Sequence, residues 1–297
     1  MPQKKCVLPL AVFLFSALAA WGNESSVNFD ISASVDWRSP QVNAQTSFNL
    51  AQAGLRLPAG RVMGEDILQR AWLRLFRPHL LSLRVDSSST LGSLVQQGDL
   101  SLQDIDAISR QAQRMPASLS VDMAAMIGRY TVCMTGISGL LLRHQRLTEP
   151  EIPLLPVPAA DYTGIIIIAD RALPVRGRHA AELVQPTLFP RIWDTQMNLI
   201  YDRSMMEASA LNRSLLVRYA AAENVFRPTP SGLEGELAAL AGARPLRIFA
   251  REVFGIYPTD PVIDRDDALR ILSSAHNRRL LREGRVVLVL HDTMLGN

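Results

Sequence analysis

The sequence predicts an α+β fold built as two small mixed domains, and three observations predict it. Short β-branched runs are interspersed with amphipathic helical stretches, but without the regular strand–helix–strand alternation of a parallel-sheet protein. Of the 297 residues, 48% are apolar, which is enough for a sizeable core. The stretch TEPEIPLLPVPAA at 148–160 contains four prolines, which forbid regular helix and favour extended backbone. It is therefore expected to link an N-terminal α+β domain (23–147) to a C-terminal one (161–297), behind a signal peptide at 1–22.

The first domain opens on Val27, Phe29, Ile31, Ala33 and Val35, which alternate with mostly polar residues at the period of a half-buried strand. Arg38, Ser39, Pro40 and Gln41 make a turn, and extended chain through Val42 and Phe48 completes a hairpin. From Gly64 to Leu81, Ile67, Ala71 and Leu75 recur at helical spacing, with Trp72 and Leu80 adjoining and Pro78 interrupting. Arg70, Arg74 and Arg77 share a face and read as a solvated stripe. Ser101 with Asp104 three residues on marks another helix start, carrying Ile105, Ile108 and Ala112 and stopped by Pro116. The segment 129–137, RYTVCMTGI, is rich in β-formers, and Cys133 reads as a buried strand residue.

In the second domain, the run Ile165 to Ala169 has the continuous apolar character of a strand buried on both faces. A hairpin is expected from 188–193 through a five-residue loop to Leu199, Ile200 and Tyr201. Residues 246–254 alternate as a strand, Asp264 or Asp266 caps a helix bearing Ala268, Leu269, Ile271 and Leu272, and RVVLVLH at 285–291 is a last buried strand.

The N-terminus has the three parts of an export signal: basic Lys4 and Lys5, an apolar run from Cys6 to Trp21, and small residues before a polar change. Ala20 and Gly22 suit cleavage before Asn23, and Ala17 with Ala19 offers a second cut. The apolar run, broken by Pro9, falls short of the roughly 20 residues of a spanning helix, so no stable membrane span is expected after cleavage. Lys4 and Lys5 are the only lysines, and losing them removes two of the three net positive charges. The remaining arginines are balanced by acids and spread without a dense run, which excludes a nucleic-acid footprint. Cys133 is then the one thiol left, so the domains contain no internal disulfide framework, and Schiff-base chemistry has no lysine to use. Nor does a cysteine follow the apolar run as a lipid attachment point.

Catalytic signatures are missing: the chain has no G-x-S-x-G, no G-x-x-x-x-G-K-[ST], no H-E-x-x-H and no C-x-x-C. No catalytic, cofactor-binding or metal-binding residue is assigned, and the protein is expected not to be an enzyme. The alternative is a site at strand ends, where Asp170, His179, His291 and Asp292 would supply acid–base or metal-binding groups. A further alternative is the loop 171–178, RALPVRGR, in which Arg171, Arg176 and Arg178 would grip an acidic ligand. His79 and His144 lack acidic neighbours at ligand spacing, and Asn212-Arg213-Ser214 fits a glycosylation sequon that is frequent by chance.

The run DYTGIIIIADRALP (161–174), followed by PTLFPRIWDTQMNLIYD (186–202), resembles a segment of the FlgP-like bacterial envelope lipoproteins and their relatives. The stretch from 248 to 290 resembles the end of the same architecture, and SLRVDSSSTLGSLV (82–95) is weakly similar to that family's core module. The resemblance implies a non-enzymatic structural or assembly role in the periplasm or cell envelope, near the flagellar motor. Its implied partners are envelope or flagellar proteins, peptidoglycan-associated ones included. The chain departs from the lipoprotein pattern in lacking a cysteine at the cleavage site.

Overall fold

The computed structural model describes residues 27–141, 146–222 and 235–296. The expected signal segment and His144 lie outside them. In the N-terminal half, β1 (Phe29–Asp36) and β2 (Gln41–Asn49) form the expected hairpin, in register from Phe29↔Phe48 to Asp36↔Gln41. With β3 (Gln113–Leu119) and β4 (Ala125–Cys133) they make an antiparallel sheet of order β1-β2-β4-β3. One face, built by Val42, Ala44, Phe48, Met126, Tyr130 and Val132, is buried under α1 (Gly60–Leu81), while the alternate residues face outward. Trp72 of α1 stacks between Phe76 and Tyr130 and donates its indole N–H to the Ser109 carbonyl at 3.0 Å. Three shorter helices complete this half: α2 (Leu91–Gln96), α3 (Leu102–Arg110) and α4 (Met134–Leu140). The Ser101/Asp104 capping box is present, with the Asp104 carboxylate accepting from the Ser101 N–H at 2.9 Å.

Four local expectations are corrected. The buried stripe of α1 is Leu68, Ala71, Trp72, Phe76 and Leu80, so Ile67 and Leu75 flank the stripe. Pro78 lies within the helix near its end, where the chain turns out anyway at Leu81. Pro116 stops no helix; it sits in the edge strand β3 at a register shift between Met115 and Ser118, a position where a missing N–H costs no ladder bond. Cys133 is exposed, because it is out of phase with Tyr130 and Val132 at the strand's end, and its Sγ lies 3.0 Å from Thr135 Oγ1.

The C-terminal half holds β5 (Ile165–Ala169), β6 (Leu173–Pro174), β7 (Ala181–Glu182), β8 (Ile192–Asp194), β9 (Leu199–Tyr201), β10 (Arg218–Ala221), β11 (Leu246–Phe249), β12 (Glu252–Phe254), β13 (Asp260–Ile263) and β14 (Val286–Leu290). Its described helices are α5 (Ala208–Leu211), α6 (Gly235–Ala241), α7 (Arg265–Ser273) and α8 (Ala275–Arg282). The two apolar runs that read as buried strands are central neighbours in a parallel sheet of order β10-β14-β5-β11. A mixed sheet of order β12-β13-β8-β9 lies beside it. The expected single strand at 246–254 is two strands in two sheets. Ala250 still donates to Ile168 of β5, whereas Arg251 donates to Val262 of β13, so the chain changes sheets between these two residues.

Residues 148–160 contain neither helix nor strand, and the segment lies along the C-terminal half: Val157 N–H donates to Ser273 Oγ at 3.0 Å, and the Asn277 amide donates to the Ala160 carbonyl at 3.0 Å. The two halves share one continuous apolar core running from Trp37, Phe76 and Tyr130 to Ile165, Tyr219 and Leu288. Trp37 meets Tyr219 edge-on with centroids 5.5 Å apart and donates its backbone N–H to the Leu295 carbonyl. The loop between α1 and α2 inserts into the other half: Phe189 N–H bonds to Val85 O at 2.8 Å and Tyr257 N–H to Ser87 O at 2.9 Å.

Two carboxylates at this junction respond to pH in opposite directions. Asp260 is fully buried, and burial pushes its pKa above the usual carboxylate range despite bonds from Ser87, the Arg191 N–H, Thr259 and Trp193. Burial also acts to raise Asp86, but bonds from Ser88 and Ser89 and the charge of Arg191 prevail and hold it below 3.8. Because folding holds the Asp260 proton more tightly, its contribution favours the folded state at low pH and fades as the pH rises through its raised pKa. That of Asp86 is present above the unfolded value and fades as the pH falls through its lowered one. Urea midpoints relative to Asp260→Asn and Asp86→Asn should show this: the wild type loses ground to the first variant as pH rises above about 4, and to the second as pH falls below it.

Candidate functional site

The parallel register of β5 and β11 carries the chain ends of both strands to the same edge of the sheet. Arg171 follows β5, Arg251 follows β11, and Arg247 and Phe249 project from β11 on the face shared with their partners Ile166 and Ile168. Helix α7 brings Asp267 and Arg270 opposite. Together these six residues line a cleft of about 530 Å³. Two of its guanidiniums are already engaged: Arg251 Nε donates to Asp264 Oδ2 at 2.6 Å and Arg270 Nη1 to Asp267 Oδ1 at 2.9 Å. Burial pushes the Asp267 carboxyl upward, with Arg270 and Arg251 pulling against it. Arg171 and Arg247 have no hydrogen-bond or ion-pair partner among the described residues, so two unpaired positive charges line the same cleft as Phe249, which is 53% exposed. Such a group offers bidentate N–H forks to a carboxylate or phosphate and an aromatic surface to an adjoining apolar part.

Of the loop 171–178, only Arg171 belongs to this cleft. Arg176 is spent on Glu252 at 2.8 Å and on the Thr195 carbonyl, and Arg178 on the carbonyls of Gly255 and Ile256, so the three arginines do not converge. The β6–β7 hairpin is responsible, since β6 carries the chain away from Arg171 and places Arg176 and Arg178 in the turn before β7. Asp170 and His291 do leave neighbouring strands, following the paired residues Ala169 and Leu290. Yet the His291 Nδ1 lies 2.9 Å from Thr293 Oγ1 and caps the turn Asp292–Met294, Asp292 bonds to Arg38, and His179 is exposed on the β6–β7 hairpin. Among the described residues, no group of three or more His, Cys, Asp or Glu side chains is arranged to hold a metal ion. His79 lies in the last turn of α1, and Asn212 is exposed at the end of α5. The arginine stripe of α1 is largely paired: Arg70 with Asp66 at 2.7 Å and Arg77 with Asp106 of α3 at 2.9 Å.

Sequence reasoning missed Arg247, Phe249, Arg251 and Arg270. The available signal was the placement of Arg247 and Phe249 at alternate positions of an otherwise apolar strand.

Fold and cleft define a two-domain α+β protein with a basic cleft on its second domain. Residues 28–140 match the family model for the N-terminal domain of Treponema pallidum Tp0624, and residues 164–292 match the model for the second domain of the same protein. No curated protein matches the chain. No described helix is long and apolar enough to cross a membrane.

Proposed function

We propose that the protein is an exported, non-enzymatic component of the cell envelope, a structural or assembly partner that holds an acidic group of another molecule in the arginine cleft. The observation that carries this reading is the pair of unpaired guanidiniums, Arg171 and Arg247, which line one cleft with Phe249 at the edge strand of the parallel sheet. Arg247 is held by a strand, which fixes a donor better than a loop does, and Arg171 lies two residues beyond the end of β5. The export-type N-terminus supports the compartment. The two matches support a two-domain organisation and name no flagellar protein, so the flagellar motor enters only as one candidate location within the envelope.

A second reading, acid–base chemistry at Asp170 and His291, is favoured by their departure from neighbouring strands. It is opposed by the engagement of His291 with Thr293 and of Asp292 with Arg38.

Cross-linking in intact cells tests the first reading. Lysine reagents have only Lys4 and Lys5 to act on, so a photoreactive amino acid is placed at Phe249. The expected result is a cross-linked envelope component that disappears when Arg171 and Arg247 are both changed to serine. Cross-links that survive that double change, or recovery of the protein in the cytoplasmic fraction alone, would contradict the proposal.

A further inference from the structure

We propose that the cleft's ligand is an extended acidic peptide that adds to β11 as a fifth strand of the parallel sheet, with an acidic side chain opposite Arg247 and an apolar one opposite Phe249, two residues apart. This rests on the cleft being a binding site and adds how the ligand is held.

The sheet order β10-β14-β5-β11 leaves β11 at an edge. Towards β5, the N–H groups of Leu246 and Ala250 donate to Gly164 O and Ile168 O, both at 2.9 Å. Backbone groups alternate direction along a strand, so Leu246, Ile248 and Ala250 face β5, whereas the N–H and C=O of Arg247 and Phe249 face away from it. Among the described residues these outward groups have no hydrogen-bond partner. The residues with free backbone groups are therefore the same two whose side chains wall the cleft. A segment lying along β11 satisfies their N–H and C=O groups while its side chains reach Arg171, Arg247, Arg251 and Arg270. An isolated anion could use the guanidiniums alone.

The period of two along a strand fixes the spacing of the ligand. Arg247 and Phe249 point to one face, so the residues beside them on an added strand are also two apart and point to the same face. One must suit a guanidinium and the other an aromatic ring. Four residues of strand span roughly 13 Å at about 3.3 Å each, so the recognised core is about four residues long. Charge on a short edge strand also discourages indiscriminate pairing. Here Arg247 makes the edge repel a second basic edge, including that of another copy, and accept an acidic one. Strand addition in other recognition systems likewise takes its affinity from the main chain and its specificity from alternate side chains.

The test uses the full two-domain chain and three probes measured by titration calorimetry: a capped octapeptide alternating glutamate and leucine at every second position, the same peptide N-methylated at alternate residues, and inorganic phosphate. The expected result is that the plain peptide binds and N-methylation weakens it at least tenfold. Phe249→Pro, which removes an outward N–H and no bond to β5, should weaken the peptide by a similar factor. Phe249→Ala keeps the N–H and separates the loss of the ring from the loss of the donor. Equal binding of the plain and N-methylated peptides, or no binding of the plain peptide while phosphate still binds through Arg171 and Arg247, would overturn strand addition and leave the cleft standing. Binding of peptide and phosphate that is indifferent to Arg171→Ser with Arg247→Ser would overturn both. Because N-methylation is placed on the ligand, the decisive comparison does not depend on how well any variant folds.

Discussion

Replacing Trp37 with alanine is expected to destabilise the chain by about 3–5 kcal/mol, the usual cost of deleting a buried aromatic side chain. It should also split one thermal unfolding transition into two. Trp37 is 7% exposed and lies at the turn between β1 and β2, where the N-terminal sheet meets the second domain. Its ring packs edge-on against Tyr219 of β10, whose own hydroxyl donates to the Thr187 carbonyl at 2.7 Å, so the partner ring is held in a fixed position. Removing the indole opens a cavity in the part of the core that joins the halves, and the neighbours are too well anchored to collapse into it. Differential scanning calorimetry makes the comparison. A wild type that melts as a single unit and a variant that melts in two steps is the expected outcome, whereas two steps in both would mean that the shared core does not couple the domains.

Gly255→Ala should cost about 2–5 kcal/mol, combining backbone strain with overpacking. At φ +119° Gly255 occupies a conformation that side-chain-bearing residues rarely adopt, and an added Cβ would overlap both Ser87 Cβ and the Tyr257 carbonyl oxygen. Ser87 belongs to the first domain's inserted loop, and its carbonyl accepts from the Tyr257 N–H only two residues from Gly255. The glycine is thus what lets the two domains approach closely at this point. Hydrogen exchange should show the Tyr257 amide losing protection in the variant, ahead of the amides of β5 and β14. Unchanged protection and an unchanged melting temperature would mean that the loop yields to the extra methyl group at no cost.

Much of the framework was legible locally. The alternation of β1, the continuous apolar runs of β5 and β14, and the Ser101/Asp104 cap each depend on residues close in sequence, and each element forms where its pattern lies. Errors arose where tertiary context decides. No turn signal marks the change of sheets after Ala250, because the chain keeps its extended conformation while exchanging partner β5 for β13. Cys133 looked apolar enough to be buried, but only the phase of β4 against α1 determines which residues face the core. The cleft was legible in one residue, Arg171. Its other members come from β11 and α7, as far along as Arg270, and converge only because β11 pairs in parallel with β5 and α7 returns beside that edge. An arginine's neighbours in sequence did not reveal its neighbours in space, as Arg176 and Arg178 show.

The central claim, that Arg171 and Arg247 are free to bind an anion whereas Arg176 and Arg178 are already satisfied, is tested most directly by following the arginine side-chain Nε–H resonances during a titration with inorganic phosphate. The account predicts saturable shifts at Arg171 and Arg247, with smaller and non-saturating ones at Arg176 and Arg178. Shifts of equal size at all four, rising linearly with phosphate, would contradict it.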